Sequence, residues 1–148
     1  MKVEVRTRVP ADDPEWLRLR TGLWPDLSAA THRAEMHAWL ARRDAVVLVA
    51  SRPGEKGLIG FAEVGTRSIA DGCESSPVAY LEGWYADTDA RRGGVGAALV
   101  GAAEAWARQR GLRELASDTE LENIDAQKAH EALGFKEVER AVLYSKAL

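Results

Sequence analysis

The stretch from Val78 to Val100, VAYLEGWYADTDARRGGVGAALV, restricts the fold of this chain more than any other. Val78 to Tyr85 has the β-branched and aromatic content of a strand. Ala86-Asp87-Thr88-Asp89-Ala90 is a polar turn, and Arg91-Arg92-Gly93-Gly94-Val95-Gly96 runs directly into an Ala/Leu-rich helix. Glycines at a helix start remove side chains, so that backbone N–H groups can approach a ligand. The helix N-terminus adds unpaired donors and the positive end of its dipole. Strand, loop and helix together predict an anion cradle, although a glycine-rich helix start can also serve close packing on a strand. Neither common phosphate motif fits. A Walker loop needs Lys and Ser/Thr where this chain has Ala97-Ala98, and a dinucleotide fingerprint needs glycine where it has Leu99. What remains is Arg-x-x-Gly-x-Gly, formed by Arg91, Gly94 and Gly96.

The flanking sequence predicts a mixed α/β arrangement. Lys2 to Val9 alternates, with Val3, Val5 and Val9 on one face of a strand. Asp12-Asp13-Pro14 caps a helix through Trp16, Leu17 and Leu19 that Gly22 stops, and Leu23-Trp24-Pro25-Asp26 is an elbow. A second helix begins near Ser28 or Thr31 and reaches about Arg42, with Met36, Trp39 and Leu40 as its apolar face. Ala45 to Ser51 and Leu58 to Val64 form a hairpin, and Gly65 to Pro77 a polar loop. In the central strand, strict alternation places Tyr80, Glu82 and Trp84 on one side and Leu81, Gly83 and Tyr85 on the other. Leu99, Ala102, Ala103 and Trp106 recur at helical spacing, and Gly111 ends that helix. A strand at Glu114 to Ser117, a helix at Asp125 to Leu133 and a last strand at Val138 to Lys146 complete the order.

Composition excludes several function classes. A chain of 148 residues has one domain's length, so residues 1–148 are expected to form a single domain. No apolar run approaches the roughly 18 residues needed to cross a bilayer, and the N-terminal MKVEVRTRV alternates; a cytoplasmic protein with no membrane partner is expected. A net charge of −3 gives no general attraction to nucleic acid and favours cationic partners. The single cysteine, Cys73, excludes an intrachain disulfide and reads as a loop thiol between Ile69 and Ser76, not as an acyl-accepting nucleophile. His32 and His37 lie five apart and share no helix face, so no metal site is expected.

The Arg91, Gly94 and Gly96 pattern resembles the pyrophosphate loop of the GCN5-related N-acetyltransferases, the GNAT superfamily. Asn123 to Phe135, ending in Gly134-Phe135, is similar to that superfamily's second signature. Leu23 to Asp26, Gly60 to Val64, Gly72 to Tyr85 and Ala116 to Thr119 resemble one family within it, the aminoglycoside 6'-N-acetyltransferases. The resemblance implies the GNAT fold over essentially the whole chain: a mixed central sheet with splayed parallel strands, flanked by helices. It also implies acetyl-CoA as donor, an aminoglycoside 6'-amine as acceptor, antibiotic resistance as the outcome, and a homodimer, for whose interface the alternating C-terminal strand is a candidate. Carried over by position, Trp24, Glu82, Asp118 and Glu139 surround the sugar, with Glu82 and Asp118 as catalytic carboxylates. Trp84, Tyr85 and Ala86 run along pantetheine, and Arg91, Arg92, Gly93, Gly94, Val95, Gly96 and Ala97 around the pyrophosphate. Asn123 lies on the pantetheine arm and His130 on the thiol side. Two positions depart from the family pattern: Ile69-Ala70 where relatives carry an aromatic, and His130 where many GNAT enzymes have a tyrosine.

The chemistry asks for the same residue types independently. A primary amine is an ammonium near neutral pH and attacks a thioester only after losing a proton, so a carboxylate that attracts the cation and takes its proton is useful. Glu82 in the central strand and Asp118 at the end of its neighbour suit an acceptor with several ammonium groups. Trp24 reads as a rim residue because its Trp-Pro-Asp elbow differs from the helical settings of Trp16, Trp39 and Trp106. Two other functions satisfy much of this sequence: a GNAT enzyme for another amine, such as a polyamine or a protein N-terminus, and a non-catalytic acyl-CoA-binding module.

Overall fold

A computed structural model of the chain describes residues 2–91 and 93–148, so the expectation for Arg92 lies outside the described residues. The elements follow in the order β1 (Glu4–Thr7), α1 (Asp13–Leu23), α2 (Ala29–Leu40), β2 (Val46–Ser51), β3 (Gly60–Arg67), β4 (Val78–Ala86), α3 (Val95–Gln109), β5 (Leu115–Ser117) and α4 (Ile124–Ala132). The strands form one sheet in chain order; β1 through β4 pair antiparallel, and β4 pairs parallel with β5. The parallel step requires a crossover, and α3 supplies it. This is the mixed, helix-flanked sheet that the sequence predicts.

Each face of the sheet is closed by helices carrying the expected apolar stripes. Val95, Leu99, Val100 and Ala103 of α3 cover Leu48, Ala50, Ala62, Val64 and Leu81 on one side. Trp16, Leu19 and Met36 of α1 and α2 cover Val47, Val49 and Phe61 on the other. Ser28 caps α2 by accepting the Thr31 N–H at 3.1 Å. Val9 and Leu40, expected on apolar faces, are exposed at 47% and 42%, because each lies at or beyond the end of its element.

Two expectations are corrected. Val138 to Lys146 forms no strand: Val142, Leu143 and Tyr144 are turned to solvent, and among the described residues β5 pairs with β4 alone, so the segment has no ladder to join. Strict alternation in β4 also fails. Glu63 pairs with Gly83 and Val64 with Leu81, so Glu82 is an extra, unpaired residue, a β-bulge. Past it the faces exchange. Leu81 and Trp84 both pack on the α3 side, whereas Gly83 lies under Trp24 and Tyr85 packs on the α1/α2 side.

The α1/α2 side contains a polar brace that sequence patterning did not indicate. Arg20 and Glu63 are buried at 1% and 4% side-chain exposure and meet at 2.5 Å. Trp16 Nε1 donates to the same Glu63 oxygen at 3.1 Å, and Arg20 also reaches Glu35 at 3.1 Å. His32 Nε2 stands 3.1 Å from the Trp24 carbonyl, which can only accept, so Nε2 carries the proton. Nδ1 then receives Arg20 Nε–H at 3.1 Å. Burial holds the Glu63 carboxyl above its usual range, and Arg20 offsets only part of that rise. Removing one partner of such a pair leaves an uncompensated buried charge, which costs about 3–5 kcal/mol. Glu63→Leu is therefore expected to lower the unfolding free energy measured by urea titration by that amount, and adding Arg20→Met to restore most of it. A single substitution as stable as the parent would show that the brace contributes little.

Candidate active site

The site grows from the point where β4 and β5 part. Their pairing lasts three residues, Ala79 with Leu115, Tyr80 with Ala116 and Leu81 with Ser117, while β4 continues to Ala86. The Ser117 hydroxyl marks the fork, 3.1 Å from the Leu81 carbonyl and 2.9 Å from His130 Nε2. His130 Nδ1 donates to the Ala126 carbonyl at 2.7 Å, and its ring stands edge-on between Trp84 at 5.3 Å and Phe135 at 5.2 Å. A neutral His130 thus accepts the Ser117 proton at Nε2. A cationic His130 donates to Ser117 and turns that hydroxyl toward Leu81.

Across the fork, α3 presents its N-terminus. Gly94 caps it at φ +83°, a left-handed conformation that suits glycine. Ala98 N–H makes the helix's first bond, to the Gly94 carbonyl at 3.0 Å, which leaves the N–H groups of Val95, Gly96 and Ala97 free of intrahelical partners. Gly93 N–H bonds the Ala90 carbonyl at 3.2 Å. Gly96 serves packing: a Cβ there would stand 2.8 Å from the Trp84 ring, so its absence seats the helix on β4. Arg91 folds back, its Nε donating to the Ala86 carbonyl at 3.2 Å and its guanidinium 5.4 Å from the Tyr85 ring centre.

The four residues expected around an acceptor divide between two cavities. Trp24 and Glu82 line one of about 370 Å³ with Arg20, Trp39, Arg42 and Glu63. Asp118 and Glu139 line a second, of about 430 Å³, between β5, α4 and the chain from Gly134 to Arg140. Trp24 lies over Gly83, where a Cβ would stand 2.5 Å from the indole, and the Arg20 guanidinium stacks 4.7 Å from its ring centre. Glu82 sits on the bulge, and Arg67 Nε and Nη2 donate to its two oxygens at 2.9 and 2.7 Å. The same guanidinium lies 3.5 Å from the centre of the Tyr80 ring, whose hydroxyl donates to Asp118. One chain, Glu82–Arg67–Tyr80–Asp118, therefore links the two cavities.

Other expected positions take plainer settings. Asn123 caps α4, its side-chain carbonyl accepting the Ala126 N–H at 3.0 Å. Ile69 is 77% exposed. The Cys73 thiol is held up by burial and by Glu114, which disfavours a thiolate nucleophile there. Among the described residues no cluster of three or more His, Cys, Asp or Glu side chains could hold a metal ion, and no helix is long and apolar enough to cross a membrane. Arg67, Tyr80 and Ser117 escaped sequence reasoning. An arginine at a strand end and a serine in a short strand carry no motif, and the bulge that gathers them leaves no sequence signal.

A fork in a parallel strand pair, with a helix N-terminus on one side and carboxylates on the other, defines an acetyltransferase of the GNAT type. The family model for the acetyltransferase (GNAT) family matches residues 14–135. The chain is 49% identical over 134 residues to aminoglycoside N(6')-acetyltransferase type 1 of Serratia marcescens, covering 90% of this chain and 91% of that protein. Among solved structures, it superposes with TM-score 0.91 on aminoglycoside 6'-N-acetyltransferase AAC(6')-Ig of Acinetobacter haemolyticus, at 38% identity over 98% of this chain and 99% of that one. AAC(6')-Iy, solved with the bisubstrate analogue CoA-S-monomethyl-acetylneamine, gives TM-score 0.92 at 36% identity over 100% of both chains. The chain belongs to the GNAT family and, within it, to the aminoglycoside N(6')-acetyltransferases.

Burial, followed by the hydrogen bond to Asp118, raises the Tyr80 phenol above its ordinary value of 10.0. A raised folded-state value gives stability that is present below the unfolded value and lost as pH climbs through the folded one. The phenolate absorbance of Tyr80, isolated by difference from Tyr80→Phe, should therefore remain absent at about pH 11, where an unperturbed tyrosine is mostly ionised. A Tyr80 signal complete by that pH would show that burial and Asp118 do not hold the proton.

Proposed function

We propose that the protein acetylates the 6'-amino group of aminoglycosides by direct transfer from acetyl-CoA, as a single cytoplasmic domain spanning residues 1–148, with antibiotic resistance as the outcome. When bound, acetyl-CoA supplies an activated acetyl thioester. Arg91, Arg92 and the backbone from Gly93 to Ala97 hold its pyrophosphate, using the free N–H groups of the first turn of α3. The main chain of Trp84, Tyr85 and Ala86, beyond the last β5 partner, runs along pantetheine, with Asn123 on the same arm and His130 on the thiol side. A backbone N–H near Trp84 polarises the thioester carbonyl, a contribution of about 3 kcal/mol.

Glu82 takes the proton that the substrate ammonium must lose, and the freed amine attacks the thioester carbonyl. The C–N bond forms as the C–S bond breaks, and the departing thiolate takes the second amine proton, so that the products are the amide, the free thiol and a protonated Glu82. Asp118, Glu139 and Trp24 hold the rest of the cationic sugar. One observation carries this assignment: the bulge turns Glu82 into a cavity beside Trp24 at the residue where β4 leaves β5. Glu82→Gln is expected to lower kcat for neamine or kanamycin about 10²- to 10³-fold, as loss of a general base does, with acetyl-CoA affinity unchanged in calorimetry. Retention of both kcat and its rise with pH would make Glu82 a binding residue.

A homodimer belongs to the same proposal. The groove of about 430 Å³ lies between the unpaired edge of β5 and residues 136–140, while the apolar residues beyond it, Val142, Leu143 and Tyr144, stand exposed at 69%, 91% and 90%. A second copy would pack against Val142, Leu143 and Tyr144 and bury those side chains, leaving the groove that Asp118 and Glu139 line open to the acceptor. Leu143→Asp should then convert a dimer to monomer in sedimentation, and an unchanged dimer would place the interface elsewhere.

A further inference from the structure

We infer that Arg67 is an internal cation that latches the acceptor site, occupying Glu82 until an acceptor ammonium displaces it. The inference rests on the assignment of Glu82 to the acceptor and concerns how that site is gated. Both Glu82 oxygens already accept Arg67 hydrogen bonds, at 2.9 and 2.7 Å, in the two-pronged geometry that guanidinium and carboxylate favour. The flat guanidinium also covers the Tyr80 ring at 3.5 Å, on the path from Glu82 to Asp118. A substrate ammonium approaching Glu82 meets a carboxylate whose oxygens are both engaged.

The neighbouring cations are held differently. Arg20 is locked into the buried brace by Glu63, and Arg42 is fixed by Asp44 at 3.0 Å and by the Thr66 carbonyl at 2.9 Å. Arg67 is hydrogen-bonded to Glu82 alone among the described residues, its side chain is 45% exposed, and it ends β3 where the polar loop begins. It can leave for solvent without breaking the fold. Glu82 itself is 24% exposed, which leaves a route for the incoming ammonium. The latch keeps the carboxylate occupied while the site is empty and releases it when a cation arrives to replace the guanidinium.

Arg67→Gln tests this by steady-state acetylation and direct acceptor titration, with neamine as a polyamine acceptor and 6-amino-6-deoxyglucose as an acceptor with a single amine. Wild-type turnover of neamine comes first, since its absence would defeat the acetyltransferase assignment and not the latch. With that turnover in place, Arg67→Gln should lower the acceptor KM and Kd about five- to tenfold. Saturating kcat and acetyl-CoA affinity should hold. Displacing one guanidinium costs the same for either acceptor, so the two should gain by a common factor. Mere removal of a positive charge would instead help neamine more, because attraction grows with acceptor charge. Arg67→Lys, which keeps the charge and loses the fork, should fall between wild type and Arg67→Gln. Unchanged or raised acceptor KM in Arg67→Gln, or a gain that grows with acceptor charge, would overturn the latch.

Discussion

The separation of β4 from β5 is the constraint on which the rest of the molecule depends. Two parallel strands that pair for three residues and then part leave the backbone of β4 from Glu82 to Ala86 without a strand on that side. In an open α/β sheet such a divergence is where ligands bind. Here it is held at its apex by the Ser117 hydroxyl and wedged by His130, itself clamped between Trp84 and Phe135. The crossover helix that makes the pair parallel also aims its N-terminus at the opening. Topology thus puts a helix N-terminus with free N–H groups and an unpaired strand edge together before any side chain is considered.

The bulge at Glu82 gives the fork its polarity. An unbroken ladder would keep Trp84 on the same face as Glu82. The extra residue sends Trp84 toward α3 and Gly96, and leaves Glu82, Gly83 and Tyr85 facing α1 and α2. A single register shift separates an apolar wall beside the helix N-terminus from an acidic wall beside the Trp24 elbow. Arg67, Tyr80 and Asp118 connect that acidic wall to the second cavity.

Much of the fold was legible because its signals are local. Alternation marked β1, Pro14 and Ser28 marked helix starts, and the strand, glycine loop and helix from Val78 to Val100 marked the crossover and its helix start. The Arg91, Gly94 and Gly96 pattern pointed to the correct superfamily, although Gly96 turns out to pack on Trp84. What was not legible depends on pairing between distant residues. The bulge arises from register against β3, the Arg67 contact from residues fifteen apart in sequence, and the Arg20–Glu63 pair from residues 43 apart. Val138 to Lys146 shows the converse: its pattern suits a strand, but a strand needs a neighbour, and none pairs with it among the described residues.

The brace around Arg20 has a thermal consequence. Hydration of charged groups becomes less favourable as temperature rises, so the penalty for keeping Arg20 and Glu63 away from water shrinks on warming, while the return from apolar burial levels off. Arg20, Glu63, Glu35, His32 and Trp16 form one connected set behind the elbow that carries Trp24. Heat therefore shifts a growing share of the cohesion of this layer from its apolar contacts to its polar ones, and the elbow beside the acidic cavity is fastened by the part of the core that warming weakens least.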